Sequence, residues 1–344
     1  MAGRRRAIAA FLAAHGWGTA TRQALAGDAS FRRYQRLTDG GRRAVLMDAP
    51  PEHEDVRPFV TIATHLKSLS FSAPEVLAAD AAAGLVILED LGDDTYTKVL
   101  DAAAAKGRGA IEATLYGLAV DVLIELHRLP AGRAVPKGLP SYGNGRLLDE
   151  AFLLPQWYVP AVTGGHASEA QRKAYGEAWL EVFPVVHAQP KTLVLRDYHV
   201  DNLMRLAGRA GVAACGLLDF QDAVAGPRAY DLMSLLEDAR RDVAPELTAA
   251  MMARYFAAFP ELDRRGFEAS YRILAAQRHA KVIGIFTRLC VRDHKPAYLV
   301  HIPRVWQLLE RALADPALAP VAAWFAAYLP ADRRQVPPCP AAVA

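Results

Sequence analysis

Two short apolar segments in the second half of the chain each run straight into acidic or amide side chains. Thr192 to Leu195 leads into Arg196-Asp197-Tyr198-His199-Val200-Asp201-Asn202, and Cys215 to Phe220 carries Asp219 and leads into Gln221-Asp222. A strand ahead of Asp219 fixes that carboxylate on a rigid element. The loop between Asp197 and Asn202 lets those two side chains face one point from different sides. This order of groups is what phosphoryl transfer requires. A first carboxylate receives the proton of an attacking hydroxyl; an amide and a second carboxylate supply hard oxygen ligands to a Mg²⁺ that bridges nucleotide phosphates. Asp and Asn are also ordinary turn residues, and one Asp-x4-Asn alone would carry little. Two such pieces in this order, each beside an apolar strand, carry much more.

The chain has material for a frame around these groups. Of 344 residues, 52% are apolar and 22% charged, a globular composition that excludes wholesale disorder. The length fits two domains, or one domain with two lobes. Lys and Arg total 40 against 37 Asp and Glu, and a surplus of +3 argues against a dedicated nucleic-acid binder. No apolar run reaches the roughly 20 residues that a bilayer crossing needs. Cys215, Cys290 and Cys339 are odd in number, far apart and without CxxC spacing. Neither a disulfide framework nor a cysteine zinc site is expected, and reduced thiols suit the cytoplasm. Arg4-Arg5-Arg6 before an apolar stretch superficially resembles an export signal. Ile8, Phe11 and Leu12 fall at helical spacing, so an amphipathic first helix ending near Gly16 is the better reading.

Phe31 to Leu37 and Arg43 to Asp48 read as a hairpin around Thr38-Asp39-Gly40-Gly41. A helix from Pro58 to Leu69 and short strands at Val76 to Ala78 and Leu85 to Leu88 complete a small sheet-rich domain ending at residue 91. From 92 to 334 the pattern is mainly helical: Ile111 to Leu129, Glu169 to Val186, Asp231 to Arg241, Ala244 to Phe259, Phe267 to Arg288 and Pro303 to Ala314. The tail, 335 to 344, holds three prolines and is expected to be loose.

Close behind Asp219 comes Ala225-Gly226-Pro227-Arg228-Ala229-Tyr230-Asp231-Leu232. With this third segment the chain resembles the aminoglycoside phosphotransferase and choline kinase family, in which H-G-D-x-x-x-x-N, D-F-x-D or D-W-E, and G-D-P-x-x-D-L follow one another. The resemblance runs from about Ala24 to about Arg311. It implies an α+β, protein-kinase-like two-lobed fold, with a small β-rich N-lobe and a larger, mainly helical C-lobe. By resemblance Asp197 is the catalytic base, Asn202 and Asp219 bind Mg²⁺, ATP is the donor, and Asp231 is structural. The wording of the loop, of Val45-Leu46-Met47-Asp48-Ala49-Pro50-Pro51 and of Gln277-Arg278-His279-Ala280-Lys281 is similar to that of bacterial anomeric sugar kinases. Those phosphorylate the C1 hydroxyl of N-acetylmuramate and N-acetylglucosamine in peptidoglycan recycling. Two positions depart from the family pattern. Leu195 stands where the loop usually opens with His, and Met47 stands where the third strand usually ends in the Lys that grips phosphates. Arg32 or Arg33, opposite on the hairpin, is expected to supply the missing charge.

Gly27-Asp28-Ala29-Ser30-Phe31 has the small residues of a turn whose amides cover phosphates, which assigns Gly27, Ser30, Phe31 and Arg32 to the nucleotide. Glu89, Asp90 and Leu91 follow the Leu85 to Leu88 strand, where this fold offers hinge backbone to adenine. Tyr198, His199, Asp201, Asp222 and Arg278 are candidate acceptor contacts, since a sugar asks for carboxylates, an aromatic face and, for a lactyl carboxylate, a cation. The expectation is a cytoplasmic monomer acting on a small amino sugar, with neither nucleic acid nor membrane as partner. Two competitors remain at this stage: a kinase of another small alcohol (aminoglycoside, choline or homoserine), and a nucleotide-binding pseudokinase suggested by Met47.

Overall fold

The computed structural model describes residues 2–25, 31–104, 107 and 109–339. Its contacts divide the chain into two compact units, Met1–Glu125 with Asp197–Ala223, and Leu126–Arg196 with Val224–Ala344. The division has no edge after residue 91: it places residues 92–125, and separately Asp197–Ala223, with the first unit.

The first unit begins with helix α1 (Ala2–Ala14) and a five-stranded antiparallel sheet. The strands are β1 (Thr21–Ala24), β2 (Arg33–Asp39), β3 (Arg42–Asp48), β4 (Val76–Asp80) and β5 (Leu85–Leu88), in the order β1-β2-β3-β5-β4. The β2–β3 hairpin turns on Gly40 and Gly41, both at positive φ (54° and 85°), as a two-residue hairpin loop requires. One sheet face packs Leu37, Ala44, Leu46, Leu85 and Ile87 against Ile8, Phe11 and Leu12 of α1 and against Trp17. Helix α2 (Arg57–Ser68) buries Phe59, Ile62, Ala63 and Leu66, the i, i+3, i+4, i+7 stripe of an amphipathic helix. Helix α3 (Tyr96–Ala103) is capped by the Thr95 hydroxyl, and α4 (Gly109–Arg128) follows.

The second unit holds α5 (Ala131–Ala134), α6 (Asn144–Ala151), α7 (Val159–Thr163) and α8 (Glu169–His187), the last opened by a Ser168/Gln171 capping box. Strand β6 (Lys191–Val194) ends just before Leu195. Beyond it the chain returns to the first unit for a two-stranded ladder of β7 (Leu203–Arg205) and β8 (Cys215–Leu217). That ladder is joined to the rest of the first unit through Ser72 beside Gly216 and Thr95 beside Met204. Strand β9 (Val224–Pro227) pairs with β6, and α9 (Ala229–Leu236), α10 (Pro245–Ala258), α11 (Arg264–Val291), α12 (Ile302–Leu313) and α13 (Ala319–Tyr328) complete the chain. Helix α11 is the buried axis of this unit. It passes so close to Leu153 that a Cβ on Gly284 would lie 2.3 Å from the Leu153 carbonyl carbon.

Three expectations need correction. Helix α9 stops at Leu236 rather than Arg241, because the chain turns at Asp238, whose Oδ1 accepts the Arg240 amide at 2.8 Å. Cys290 and Cys339 are joined as a disulfide across 49 residues of sequence, and Cys215 alone is a free, buried thiol. The described part of the tail is held rather than loose: Tyr158 donates its hydroxyl to the Gln335 carbonyl at 2.6 Å, and Cys339 is tied to α11. Residues 340 to 344 lie outside the described residues. Among the described residues no helix is long and apolar enough to cross a membrane.

Candidate active site

The approach to Asp197 is built from buried polar groups of the second unit. Asp231, in the first turn of α9, accepts the amides of Leu195 (2.6 Å) and Arg196 (2.9 Å). Arg278 on α11 donates Nη1 to the Arg196 carbonyl (2.9 Å) and to the Tyr230 hydroxyl (3.1 Å). The Arg196 guanidinium pairs with Glu150, which also meets Lys281 at 3.2 Å and accepts from Tyr142 and Gln277. Burial alone would raise the Glu150 pKa. Lys281 and Arg196, with the two hydrogen bonds, outweigh it and hold the carboxyl down at about 2. Arg196 itself adopts φ 71°.

In the first unit, Asn202 gathers the chemistry-bearing groups. Its Nδ2 donates to the Asp197 carbonyl at 2.9 Å and lies 3.4 Å from Asp219 Oδ2. The Leu218 amide donates to the Asn202 carbonyl at 2.9 Å, tying the loop to the chain just before Asp219. Asp219 stands at φ 58°, in the left-handed region that Asp tolerates better than most residues. Gln221 Nε2 donates to Asp219 Oδ1 at 2.9 Å, and the buried Phe220 stacks on Phe59. Among the described residues no cluster of three or more His, Cys, Asp or Glu could hold a metal by itself.

Asp219 and Asn202 line a cavity of about 380 Å³ within this unit. Leu25, Val45, Leu88, Met204 and Leu218 give it apolar walls, and Glu89 to Asp93 form part of its rim. The Glu89 amide is bonded to the Glu75 carbonyl, and Glu89 pairs through its side chain with Arg209. Among the described residues neither the Glu89 carbonyl nor the Leu91 amide takes part in a backbone hydrogen bond outside helices and strands. Asp90 serves the scaffold: Arg36 donates to both its oxygens (2.7 and 3.0 Å) and also reaches Asp93. Arg32 lines the cavity with its Nη2 3.3 Å from Asp219 Oδ1, whereas Met47 is fully buried in the sheet. Burial works against the Arg32 charge, yet Tyr34, Asp219, Glu54 and Asp222 together raise its pKa above the ordinary value.

The other expected residues fall as follows. Phe31 is exposed and stacks on His53, while Gly27 and Ser30 lie outside the described residues. Tyr198 turns inward, its buried hydroxyl donating to the Ala119 carbonyl at 2.8 Å. His199 is buried against Asn202, Asp201 accepts from the Thr97 hydroxyl, and Asp222 is exposed. Arg278 is 7% exposed and engaged with Arg196 and Tyr230, contacts that make it a loop support.

Sequence reasoning missed a second cavity, of about 530 Å³, inside the second unit. Glu237, Asp238, Arg241, Arg272, Arg304 and Arg311 are among its lining residues. Glu237 is buried, and although burial raises its pKa, His279 (2.8 Å) and Arg272 (3.4 Å) lower it overall. Asp238 is 2% exposed, and among the described residues its Oδ2 has no hydrogen-bond partner. No motif announces this cavity; the only signal is an acid-and-arginine run directly after an apolar helix.

Comparison with known proteins matches residues 21–267 to the model of the phosphotransferase enzyme family. The chain belongs to that family. It is 39% identical to an N-acetylmuramate/N-acetylglucosamine kinase of Caulobacter vibrioides over 96% of this chain and 98% of the relative. A protein of the same name from Neisseria meningitidis is 38% identical over 83% of this chain and 84% of its own. Among solved structures, an ADP-bound aminoglycoside phosphotransferase matches with a TM-score of 0.55 at 16% identity, over 85% of this chain and 93% of that one. An ethanolamine kinase of Plasmodium vivax matches with a TM-score of 0.57 at 14% identity, over 88% and 84%. The fold is therefore protein-kinase-like, with a small antiparallel sheet and a larger helical part, and this phosphotransferase is an enzyme that transfers phosphate to an alcohol acceptor.

Proposed function

We propose that the protein transfers the γ-phosphoryl group of ATP to the anomeric hydroxyl of N-acetylmuramate or N-acetylglucosamine, a step of peptidoglycan recycling. The observation that carries this reading is Asn202 reaching both the Asp197 carbonyl and the Asp219 carboxylate at a cavity whose rim presents hinge backbone. The identity with relatives named for these sugars supports the choice of acceptor.

The donor set fits Mg²⁺. Two oxygen-bearing side chains, with no group of three His, Cys, Asp or Glu among the described residues, match an ion that completes its shell with phosphates and water. Asn202 and Asp219 are the residues that would hold it, and when bound it would neutralise charge on the phosphates. Asp197 accepts the proton of the sugar hydroxyl. An anomeric hydroxyl is more acidic than an ordinary alcohol, so an unexceptional carboxylate suffices as base. Asp231, Arg278 and Glu150 set the course of the chain into Asp197, and such positioning supplies much of the rate in phosphoryl transfer. The Glu89 carbonyl and Leu91 amide suit adenine.

Purified protein with Mg-ATP and each sugar, followed by phosphorus NMR, tests the proposal. Sugar 1-phosphate is the expected product. Product formed only with a cationic alcohol such as an aminoglycoside or choline, or nucleotide bound without turnover of any acceptor, would refute it.

A further inference from the structure

Resting on the kinase reading, the inference concerns how the first unit holds phosphate with Met47 at the end of β3. Residues 32, 34 and 36 alternate along one face of the chain at β2, and all three line the cavity. Tyr34 pairs with Met47 and Arg36 with Val45 across the hairpin. Arg32 therefore lies one dipeptide step, about 7 Å along the sheet, beyond the pair that contains position 47. A guanidinium at the end of its long side chain covers that step. The Arg36 guanidinium is already committed to Asp90 and Asp93 at the hinge, and Lys98 is an exposed residue of α3. Arg32 is the lining cation beside the carboxylate expected to bind the metal, with its side chain 12% exposed and 3.3 Å from Asp219.

We propose that Arg32 is a partner-exchanging phosphate clamp. In the free protein it neutralises Asp219; in the loaded enzyme, with Asp219 given over to the divalent cation, it pairs with the terminal phosphates of the nucleotide. The physical reason is competition for one carboxylate. A guanidinium at 3.3 Å lowers the attraction of Asp219 for a second cation, and a polyphosphate offers the guanidinium a stronger, bidentate partner. Nucleotide and divalent cation then strengthen each other's binding, and Arg32 sets the sign of that coupling. A merely structural arginine would leave both single-ligand affinities where they are.

The test uses the full-length protein without acceptor. Wild type, Arg32→Gln and Arg32→Lys are compared in two titrations: Mn²⁺ alone by electron paramagnetic resonance, and a fluorescent ATP analogue in EDTA. Loss of the charge in Arg32→Gln is expected to tighten Mn²⁺ binding at least about threefold, because Asp219 loses its competing cation. The same change is expected to weaken metal-free nucleotide binding about 10- to 100-fold, the range for a lost charge-assisted hydrogen bond. Arg32→Lys should restore both in part. In wild type, which needs no variant to fold, Mn²⁺ should bind tighter with nucleotide present. Unchanged or weaker Mn²⁺ binding in Arg32→Gln, unchanged nucleotide affinity in EDTA, or no wild-type nucleotide binding in EDTA would each overturn the proposal. Since no sugar is present, a failed acceptor screen on wild type leaves these results readable, and the reverse also holds.

Discussion

Replacing Glu150 by glutamine removes one negative charge from a site nine-tenths closed to solvent and leaves its geometry nearly unchanged. Tyr142 and Gln277 can still reach an oxygen at that position, but the half-buried Arg196 and the buried Lys281 lose the charge that balances them. Breaking a buried pair in this way costs about 3–5 kcal/mol. An independent route gives a similar size. The carboxyl is held at about 2 in the folded protein against an ordinary 4.5, a difference that corresponds to about 3 kcal/mol of stability near neutrality. Because the folded value is the lower one, this contribution is complete above pH 4.5 and is lost as the pH falls toward 2. At pH 7 the thermal midpoint of Glu150→Gln should fall by about 4–7 °C for a chain of this length. The acid limb of its stability curve should also be flatter than that of wild type. The assay is thermal and urea unfolding from pH 2 to 7, with turnover read in parallel. A variant within about 1 kcal/mol of wild type at pH 7, with an unaltered acid limb, would refute the balance of charges described here.

Three further outcomes are expected. Asp197→Asn should lower turnover by about 10²- to 10⁴-fold through loss of the proton acceptor, while nucleotide affinity, read by fluorescence titration, stays within about threefold of wild type. Asp231→Ala orphans the amides of Leu195 and Arg196 and should cost about 2–6 kcal/mol in urea unfolding, with kcat reduced more than KM. Gly284→Ala drives a methyl into the Leu153 carbonyl and should cost about 1–3 kcal/mol, measured as a lower thermal midpoint.

What could be read from the sequence divides along physical lines. The β2–β3 hairpin was legible because Gly40-Gly41 is a turn with a mechanism, and β5 because Leu85 to Leu88 is an unbroken apolar run. Strand β1 was not, since all four of its residues are exposed and carry no alternation. The loop and the Asp219 segment were legible from order and spacing, and Asn202 does bring them to one place. Side-chain direction was not. Tyr198 and Arg278 have the chemistry of sugar contacts, but the fold turns one toward Ala119 and the other toward Arg196. Glu150 belongs to no motif, and only packing reveals that it holds Arg196. The Cys290–Cys339 pair is similarly invisible, since nothing in a separation of 49 residues says that the tail returns to the end of α11.

The two segments that carry the chemistry share a costly device. Arg196, immediately before Asp197, and Asp219 both adopt positive φ without being glycine. Each conformation costs about 1–3 kcal/mol and persists only where the surroundings over-determine it. At Arg196 they do: its amide is bound by Asp231, its carbonyl by Arg278 and Ser234, and its guanidinium by Glu150. At Asp219 both carboxylate oxygens have donors close by, from Arg32 and Gln221 on one side and Asn202 on the other. Glycine would adopt either backbone at lower cost, but it would remove the guanidinium that Glu150 requires in the first case and the carboxylate that Arg32, Gln221 and Asn202 surround in the second. The side chain is therefore kept at the expense of backbone strain at both places, and the hydrogen bonds around each residue offset that strain. With the backbone held this firmly at both places the main chain is already set when substrate arrives, which is the condition under which positioning and preset charge can carry a phosphoryl transfer.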